Sequence, residues 1–341
     1  MKALVKTKKG KGHLELIDVN EPKPKAKEVK IKVEYAGICG TDIHIYYDEF
    51  PTTPPITLGH EFSGTIVDIG EEVTRSKIGD KVVAENSWSS CEICSLCRKG
   101  RDTLCPERVC IGVSQNGVFA KYVLYKEHFI HLIPKNVDML SAALTEPMAC
   151  AVHGVVERSR VNSGDIVIVS GPGPIGLFSM QLAKCMGAIV IVTGISLDQK
   201  RLDIAKKLGA DYTVNIQKED IKNLVNKLTN NEGVDVVLEC SGAESAVDQG
   251  FDLLKKCGIF TQIGLHGRPI KINFEKICFK ELDVYGSLSQ TNFAYKRALA
   301  LLSEKKVNSK ALVTHVFALE EWEKGFKIAE QKEGLKVVLK P

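Results

Sequence analysis

The sequence predicts an α/β protein in two parts, a β-rich part followed by a doubly wound parallel sheet of six strands. Before Pro134, short runs of alternating apolar and polar residues are separated by glycine and proline, as in antiparallel strands. After Asp165, apolar strand patterns alternate with amphipathic helix patterns, as in a sheet with crossover helices. A glycine-rich turn joins the first of these later strands to a helix, which is typical of nucleotide-binding sheets.

Composition limits the class of protein. The chain has 341 residues, of which 44% are hydrophobic and 26% charged, enough for two domains with separate cores. The net charge is +4 and the lysines are scattered, so no basic block indicates a nucleic-acid partner. The N-terminus lacks the apolar core of a signal peptide, and no apolar run approaches the roughly 18 residues of a membrane span. We therefore expect a cytoplasmic protein with no membrane partner.

The β-rich part is predicted from its alternating segments and the glycine and proline between them. The predicted strands are 2–5, 14–19, 29–35, 62–69, 81–84 and 117–125. A helix is predicted to begin after Pro147, within 144–154.

The second part repeats strand and helix without an internal linker. Its predicted strands are 166–169, 189–193, 212–216, 234–239, 259–263 and 282–285, with helices between them ending near 188, 208, 228 and 255. A further helix is predicted from Thr291, and a last strand over 335–339.

One candidate metal site lies in the segment 37–73. Cys39 offers a thiolate, His60 an imidazole and Glu61 a carboxylate, a mixed set that suits Zn²⁺ and leaves one position open for substrate. Asp42 could orient His60 by accepting its second ring N–H. Taken singly, such residues are more often structural, as a buried cysteine, a hydrogen-bonded histidine and a solvated acid.

Two residues close to Cys39 could handle protons. Thr41 carries a hydroxyl and His44 an imidazole, which together could pass a proton from the metal towards solvent. With Glu61 they form the predicted catalytic set.

Four cysteines form a second candidate metal site. Cys91, Cys94, Cys97 and Cys105 are spaced C-x2-C-x2-C-x7-C, and four thiolates at this spacing can close around one tetrahedral structural zinc. An iron–sulfur cluster is the main alternative because Pro106 follows the last cysteine, but the final gap is seven residues where a ferredoxin run has three. The total of eleven cysteines is odd, so we expect reduced thiols rather than disulfides.

The glycine-rich turn is the candidate dinucleotide site. The motif SGPGPIG fits G-x-G-x-x-G, whose glycines permit a tight turn and bring a pyrophosphate close to a helix N-terminus. The predicted contacts are Gly171, Gly173, Pro174, Ile175 and Gly176. Strand, motif and helix together predict a Rossmann domain that binds NAD or NADP.

The two sites occur in a pattern that resembles one family. GHEFSG at 59–64, followed by Gly70 and Val73 and preceded by GICGTD, is similar to the signature of the zinc-containing medium-chain alcohol dehydrogenases, and the resemblance covers essentially the whole chain. It implies a GroES-like catalytic domain with both zinc sites over 1–150, a Rossmann domain over 151–289 and a return to the catalytic domain over 290–341. It also implies a homo-oligomer, a tetramer or a dimer.

The resemblance also suggests the reaction. Glu146 occupies the position where family members supply the last group at the catalytic zinc, and a glutamate there is typical of polyol and threonine dehydrogenases. We expect reversible hydride transfer from a secondary alcohol to NAD(P), with Glu61 and Glu146 able to exchange as ligands and the proton leaving through Thr41, the cofactor ribose and His44. The alternatives are an L-threonine 3-dehydrogenase, a silent nucleotide-binding member and a zinc-ribbon nucleic-acid binder.

The choice of cofactor depends on the turn after the second Rossmann strand. An acid that binds the adenosine ribose is normal there, but this chain has Gly194, followed by Ser196 and Arg201. A small residue with a hydroxyl and a cation would accommodate a 2′-phosphate, which favours NADP. Asp198 could instead fold back to the ribose of NAD, and the cations Lys200 and Arg201 could be solvated helix residues.

The substrate stays open between polyols, polyol phosphates, butanediol and threonine. Sorbitol-type enzymes carry an Arg-Tyr pair where this chain has Ser289 and Gln290. The run HIYYDEF resembles threonine dehydrogenases, whereas the histidine within 149–154 is usual in polyol and butanediol enzymes.

Overall fold

The computed structural model describes residues 1–341 and divides into two compact units. The first unit comprises Met1–Glu146 and Gln290–Pro341, and the second comprises Pro147–Ser289. The predicted class, an α/β protein with a β-rich part and a doubly wound parallel sheet, is confirmed. The bounds predicted for the functional domains, 1–150, 151–289 and 290–341, stay a prediction.

The secondary structure consists of eighteen strands and eleven α-helices. The strands are β1 (Lys2–Lys6), β2 (Leu14–Asp18), β3 (Glu28–Gly37), β4 (Ile56–Thr57), β5 (Glu61–Ile69), β6 (Lys81–Ala84), β7 (Ser87–Ser89), β8 (Val109–Cys110), β9 (Tyr122–Lys126), β10 (Ile130–Leu132), β11 (Ile166–Ser170), β12 (Ile189–Gly194), β13 (Tyr212–Asn215), β14 (Val234–Glu239), β15 (Leu254–Gln262), β16 (Asp283–Gly286), β17 (Val313–Ala318) and β18 (Lys336–Lys340). The helices are α1 (Gly40–Tyr46), α2 (Ser95–Arg98), α3 (Met139–Ala142), α4 (Thr145–Val152), α5 (Pro174–Cys185), α6 (Gln199–Lys207), α7 (Ile221–Thr229), α8 (Glu244–Leu253), α9 (Glu275–Lys280), α10 (Asn292–Ser303) and α11 (Trp322–Glu330). None of these helices combines the length and the apolar character needed to cross a membrane.

The first unit is organised around β3, which alternates inward apolar and outward polar residues. Strand β3 pairs with β5, β9 and β18 in a seven-stranded sheet. The register sets Gly37 at the end of β3 opposite Glu61 at the start of β5, with Val338 of β18 on the other side. Residues far apart in the sequence therefore meet at this end of the sheet.

The second unit is a parallel sheet in the order β13-β12-β11-β14-β15-β16. Its central strands read IVIVS and VDVVLE and are mostly apolar, because helices cover both faces of such a sheet. The order is that of a dinucleotide-binding fold, in which ligands bind at the carboxyl ends of the strands where the order reverses, here β11 and β14.

Two local predictions are wrong and one helix was missed, and each case has a physical reason. Helix α4 begins at Thr145 rather than after Pro147, because a proline in the first turn needs no hydrogen-bonded N–H. The strand predicted over 117–125 is regular only over Tyr122–Lys126, since the N–H groups of 117–119 bond to the carbonyls of 57–59. Helix α1 was not predicted, because it has only seven residues and too little apolar periodicity.

Candidate metal centres and cofactor site

The first candidate centre collects Cys39, His60 and Glu61, whose ligand atoms all lie within 4.8 Å of one another. Cys39 precedes helix α1, and Glu61 is the first residue of β5 with His60 directly before it. A Cβ at Gly37 would lie only 2.3 Å from Oε2 of Glu61, so only glycine lets this carboxylate approach the end of β3. The sheet register thus brings together the three ligands predicted from the sequence.

The residues of this centre fit a zinc ion. His60 is 6% exposed, and its Nδ1 is buried without a hydrogen-bond partner. An unsatisfied buried polar atom is costly unless something else, such as a bound metal or a second residue, completes the site. One sulfur, one nitrogen and one carboxylate make up a donor set that zinc accepts.

Asp42 does not orient His60 as the sequence suggested. Its Oδ2 accepts the N–H of Cys39 at 2.8 Å, and its Oδ1 accepts the N–H of Gly59 at 3.2 Å. Burial raises the pKa of Asp42. The carboxyl therefore fixes the backbone on either side of the centre, because a side chain this short reaches the first turn of its own helix more easily than the ring.

Lys336 is a part of this centre that the sequence did not reveal. Its Nζ lies 2.5 Å from the Glu61 carboxylate and donates to the carbonyl of Ile38 at 3.0 Å, and the side chain is 4% exposed. Burial alone would lower the pKa of Lys336, but the charges of Glu61 and Cys39 raise it above its usual value. Because 275 residues separate Lys336 from Glu61, no local pattern could indicate the pair.

Glu146 lies outside the group of three ligands but within the same buried region. It is the second residue of α4, and its Oε1 accepts a hydrogen bond from Nδ2 of Asn86 at 2.9 Å. Tyr125 is fully buried with no hydrogen-bond partner for its hydroxyl, and burial and the charge of Glu146 raise the pKa of Tyr125 well above its usual value. The structure therefore offers two buried carboxylates, one held by a cation and one by an amide.

The two predicted proton-handling residues both lie on α1. The Oγ1 of Thr41 is 3.7 Å from Sγ of Cys39. His44 is one helical turn further on, where its exposed ring bonds through Nδ1 to Oε2 of Glu49 at 2.8 Å. Residues three apart on a helix lie on one face, so this face leads from the half-buried Cys39 to solvent.

The second candidate centre is the four-cysteine lobe, the segment 91–105. The sulfur atoms of Cys91, Cys94, Cys97 and Cys105 lie within 4.8 Å of one another, and the strands β7 and β8 pair at the base of the lobe. Backbone N–H groups of Cys91, Cys94 and Cys97 donate to neighbouring sulfurs at 3.4 Å. No disulfide joins any of the eleven cysteines.

The pKa values of two of these thiols are shifted in opposite directions. The N–H of Cys97 and other hydrogen bonds lower the pKa of Cys94 to about 7. The hydroxyl of Ser90 alone would lower the pKa of Cys97, but burial and the neighbouring sulfurs raise it to about 11. Four adjacent thiolates repel one another unless a divalent cation neutralises them, so the lobe fits a structural zinc with no open position.

The predicted dinucleotide motif has the geometry that its glycines suggested. Gly173 precedes α5, and Pro174 and Ile175 open the first turn of that helix. A Cβ at Gly176 would lie 1.9 Å from the carbonyl oxygen of Gly171, so the turn cannot form with any other residue there. The N–H groups of the α5 N-terminus are therefore available to a pyrophosphate.

The turn after β12 contains both the residues predicted to bind a 2′-phosphate and the acid predicted as the alternative ribose ligand. Gly194 ends the strand, and Oδ2 of Asp198 accepts the N–H of Ile195 at 3.2 Å. Arg201 is 14% exposed, and its Nη1 lies 3.7 Å from Oδ1 of Asp198. The hydroxyl of Ser196 accepts from Nδ2 of Asn215 at 3.3 Å. The acid and the cation are thus neighbours in one cluster.

Comparisons with known proteins agree with this geometry. Residues 25–135 match the alcohol dehydrogenase GroES-like domain, and residues 174–304 match the zinc-binding dehydrogenase domain. The chain is 50% identical over 342 residues to a sorbitol dehydrogenase of Halalkalibacterium halodurans, covering 100% of this chain and 99% of that one. It is 41% identical over 342 residues to a D-arabitol-phosphate dehydrogenase of Enterococcus avium, covering 99% and 97%. The crystal structure of a protein from Sinorhizobium meliloti, classed as a zinc-binding dehydrogenase and bound to NADP, has a TM-score of 0.91 at 33% identity, covering 100% of this chain and 99% of that one.

These matches confirm the predicted family, its zinc and its nicotinamide cofactor. The silent and nucleic-acid-binding alternatives have no comparable support. The chain belongs to the zinc-containing medium-chain alcohol dehydrogenase family and is a zinc-dependent oxidoreductase that transfers a hydride between a CH–OH group and NAD(P).

Proposed function

We propose that the substrate is a polyol, a polyol phosphate or a related diol, oxidised at a secondary hydroxyl. The observation that carries this proposal is the group of half-buried Cys39 with buried His60 and Glu61, with the Thr41 hydroxyl 3.7 Å from the cysteine sulfur. The relatives named for sorbitol and D-arabitol phosphate, 50% and 41% identical, support the polyol class.

The proposed ligands of the catalytic zinc follow from the charge of the ion and of the side chains around it. Zinc, when bound, acts as a Lewis acid that lowers the pKa of the substrate hydroxyl. Cys39 as thiolate and one carboxylate would balance its two charges, with His60 neutral. Because Lys336 pairs directly with Glu61 whereas an amide holds Glu146, the proposed carboxylate ligand is Glu146. Glu61 would replace it only when the pair with Lys336 opens.

The proton leaves along α1. The nicotinamide cofactor, when bound, would accept the hydride from the substrate carbon. The Thr41 hydroxyl would take up the proton of the substrate hydroxyl and pass its own proton outward towards His44. The ring of His44 is exposed and bonded to Glu49, so the relay ends on an imidazole that can exchange a proton with solvent.

NADP is the proposed cofactor, with Ser196 and Arg201 contacting its 2′-phosphate in the space left by Gly194. Losing a charged hydrogen bond costs roughly 1.5 to 3 kcal/mol, so Arg201→Ala should lower kcat/KM for NADP by about ten- to a hundredfold and leave NAD unchanged. The matched control is Lys200→Ala, which removes an exposed cation one position away. An equal loss with both cofactors would assign the ribose to Asp198 and the preference to NAD.

The proposed assembly is a homo-oligomer, a dimer or a tetramer, located in the cytoplasm without nucleic-acid or membrane partners. Strand β16 is the last strand of the parallel sheet, and its Val284 is 43% exposed. An unpaired apolar edge of this kind suits pairing with a second copy. Light scattering should find an oligomer for the wild type and a smaller species for Val284→Lys; a monomeric wild type would contradict the proposal.

The deciding experiment is a dehydrogenase assay with both cofactors over polyols, polyol phosphates, butanediol and L-threonine. The proposal expects the highest kcat/KM on a polyol or polyol phosphate. A strong preference for L-threonine would instead establish the alternative, an L-threonine 3-dehydrogenase.

A further inference from the structure

The side chain of Asn86 lies between the buried carboxylate of Glu146 and a guanidinium. Its Nδ2 donates to Oε1 of Glu146 at 2.9 Å. Its Oδ1 accepts from Nη2 of Arg108 and, at 2.8 Å, from Nε2 of Gln290. Two donors on the oxygen leave only one orientation for the amide, with its NH₂ group facing Glu146.

Arg108 is fixed at the base of the four-cysteine lobe. Its backbone N–H donates to the carbonyl of Cys105 at 3.1 Å, and its Nη1 donates to the carbonyl of Thr103 at 3.2 Å. Its Nε donates to the hydroxyl of Ser87, on the first strand of the ribbon that closes the lobe, at 2.9 Å. The position of the guanidinium is therefore set by the lobe.

We propose that Asn86 is a positioning residue for Glu146 and that Arg108 couples it to the four-cysteine lobe. The inference rests on the proposed role of Glu146 as a ligand of the catalytic metal. The amide holds one carboxylate oxygen and so sets the direction in which the carboxylate faces. The guanidinium strengthens that hydrogen bond by polarising the amide.

The contrast with Glu61 explains why an amide is suited to this position. Lys336 is a cation, so it cancels the charge of Glu61 and competes with a metal for it. Asn86 is neutral, so its hydrogen bond orients Glu146 without placing a second positive charge on that carboxylate. The two buried carboxylates are thus prepared for different roles by their partners.

The test measures zinc affinity at the catalytic site by competition with a chelator, while native mass spectrometry counts the zinc kept in the lobe. Groups that orient a metal ligand typically contribute about ten- to a hundredfold in affinity, so Asn86→Ala should weaken catalytic zinc by that order and leave the lobe zinc in place. The visible spectrum of the cobalt-substituted enzyme should change as well. The matched control is Asn292→Ala, which removes a 2.7 Å amide bond to a different carboxylate, Glu85, and should change neither quantity.

Two further variants separate this inference from the proposed ligand role. Asn86→Ala should cause no additional loss in a Glu146→Gln background, because it acts through that carboxylate. Arg108→Lys keeps the charge but not the fork of donors, so it should also weaken the binding of zinc at the catalytic site, but by less than Asn86→Ala does. This variant provides the test if Asn86→Ala fails to fold. If Glu146→Gln weakens zinc binding but neither Asn86→Ala nor Arg108→Lys does, the positioning role is wrong and the ligand role stands. If Glu146→Gln itself has no effect, both are wrong.

Discussion

The two candidate metal centres of the first unit differ in how far apart their parts lie in the sequence. The lobe takes all its sulfurs from the short segment 91–105. The Cys39 centre draws on α1, the start of β5 and α4, together with Lys336, which is 275 residues from Glu61. A closed site can be built by one loop, whereas an open site has to be assembled by the fold that also shapes the space for a substrate.

The centres also differ in how far their polar atoms are satisfied. The lobe sulfurs accept backbone N–H groups of their own loop, so the loop is prepared for one arrangement of ligands. At the Cys39 centre, Nδ1 of His60 has no partner, and two carboxylates are available with different partners. The difference indicates that the lobe contributes stability and the open centre contributes chemistry.

The largest effect that this comparison predicts is loss of turnover without loss of fold. Cys39→Ser removes a ligand of the open centre, and a metal supplies several kcal/mol of stabilisation in the transition state. We expect kcat/KM to fall on the order of 10⁴-fold, with the far-UV circular dichroism and the lobe zinc unchanged. An active Cys39→Ser enzyme would place the catalytic site elsewhere.

The next effect concerns the proton path on α1. General acid–base groups typically contribute about 10² to 10⁴-fold, and Thr41→Val removes the hydroxyl 3.7 Å from Cys39, so turnover should fall within that range. His44→Ala should be slower to a smaller extent and partly rescued by small buffer bases, because the ring is exposed. Unchanged pH–rate profiles in both variants would exclude the relay.

A substitution in the four-cysteine lobe should lower stability rather than turnover. Cys97→Ser removes one of four sulfurs from a closed site, and loss of a structural metal belongs to the mutations that cost about 4 kcal/mol or more of unfolding free energy. We expect a lower Tm and loss of one zinc per chain, while turnover per folded molecule in excess zinc stays about the same. A variant with wild-type Tm but no turnover would reverse the roles of the two centres.

The same contrast explains how much could be predicted from the sequence. The lobe, the dinucleotide motif and the strands of the parallel sheet are local patterns, and their predicted positions agree with the structure within a few residues. Cys39, His60 and Glu61 were predicted because the segments GICGTD and GHEFSG together resemble a family signature, whereas each residue type taken singly is more often structural. Lys336 and Asn86 were not, because an isolated lysine or asparagine has no local signature, and only the pairing of β3 with β18 and the fold around α4 bring them to the carboxylates.

The smallest expected effect concerns a carboxylate that belongs to neither metal centre. It tests whether the stability of the first unit depends on contacts outside both centres. Buried Glu127 accepts the N–H groups of Arg75 at 2.6 Å, Ser76 at 2.7 Å and Thr74 at 3.2 Å. Burial alone would raise the pKa of Glu127, but these donors outweigh it, and the net pKa lies below the usual value. A carboxylate whose pKa is lower in the folded state stabilises the protein above its unfolded pKa, roughly 4.3, and this contribution is lost as the pH falls through the folded value.

Glu127→Gln keeps one acceptor oxygen but turns an amide NH₂ towards a backbone donor. We expect it to lower the free energy of unfolding at pH 7 by about 1 to 2 kcal/mol, as measured by urea denaturation. The difference between the two proteins should shrink as the pH falls below about 4.3, since protonated Glu127 loses the same interactions. The two proteins have the same candidate metal ligands, so any loss of metal at low pH contributes equally to both and cancels in the difference. Glu61→Gln is the contrasting variant, since it breaks the pair with Lys336 and should change zinc affinity, which Glu127→Gln should leave unchanged. A constant difference across the pH range would show that Glu127 is not an ionised partner of these N–H groups.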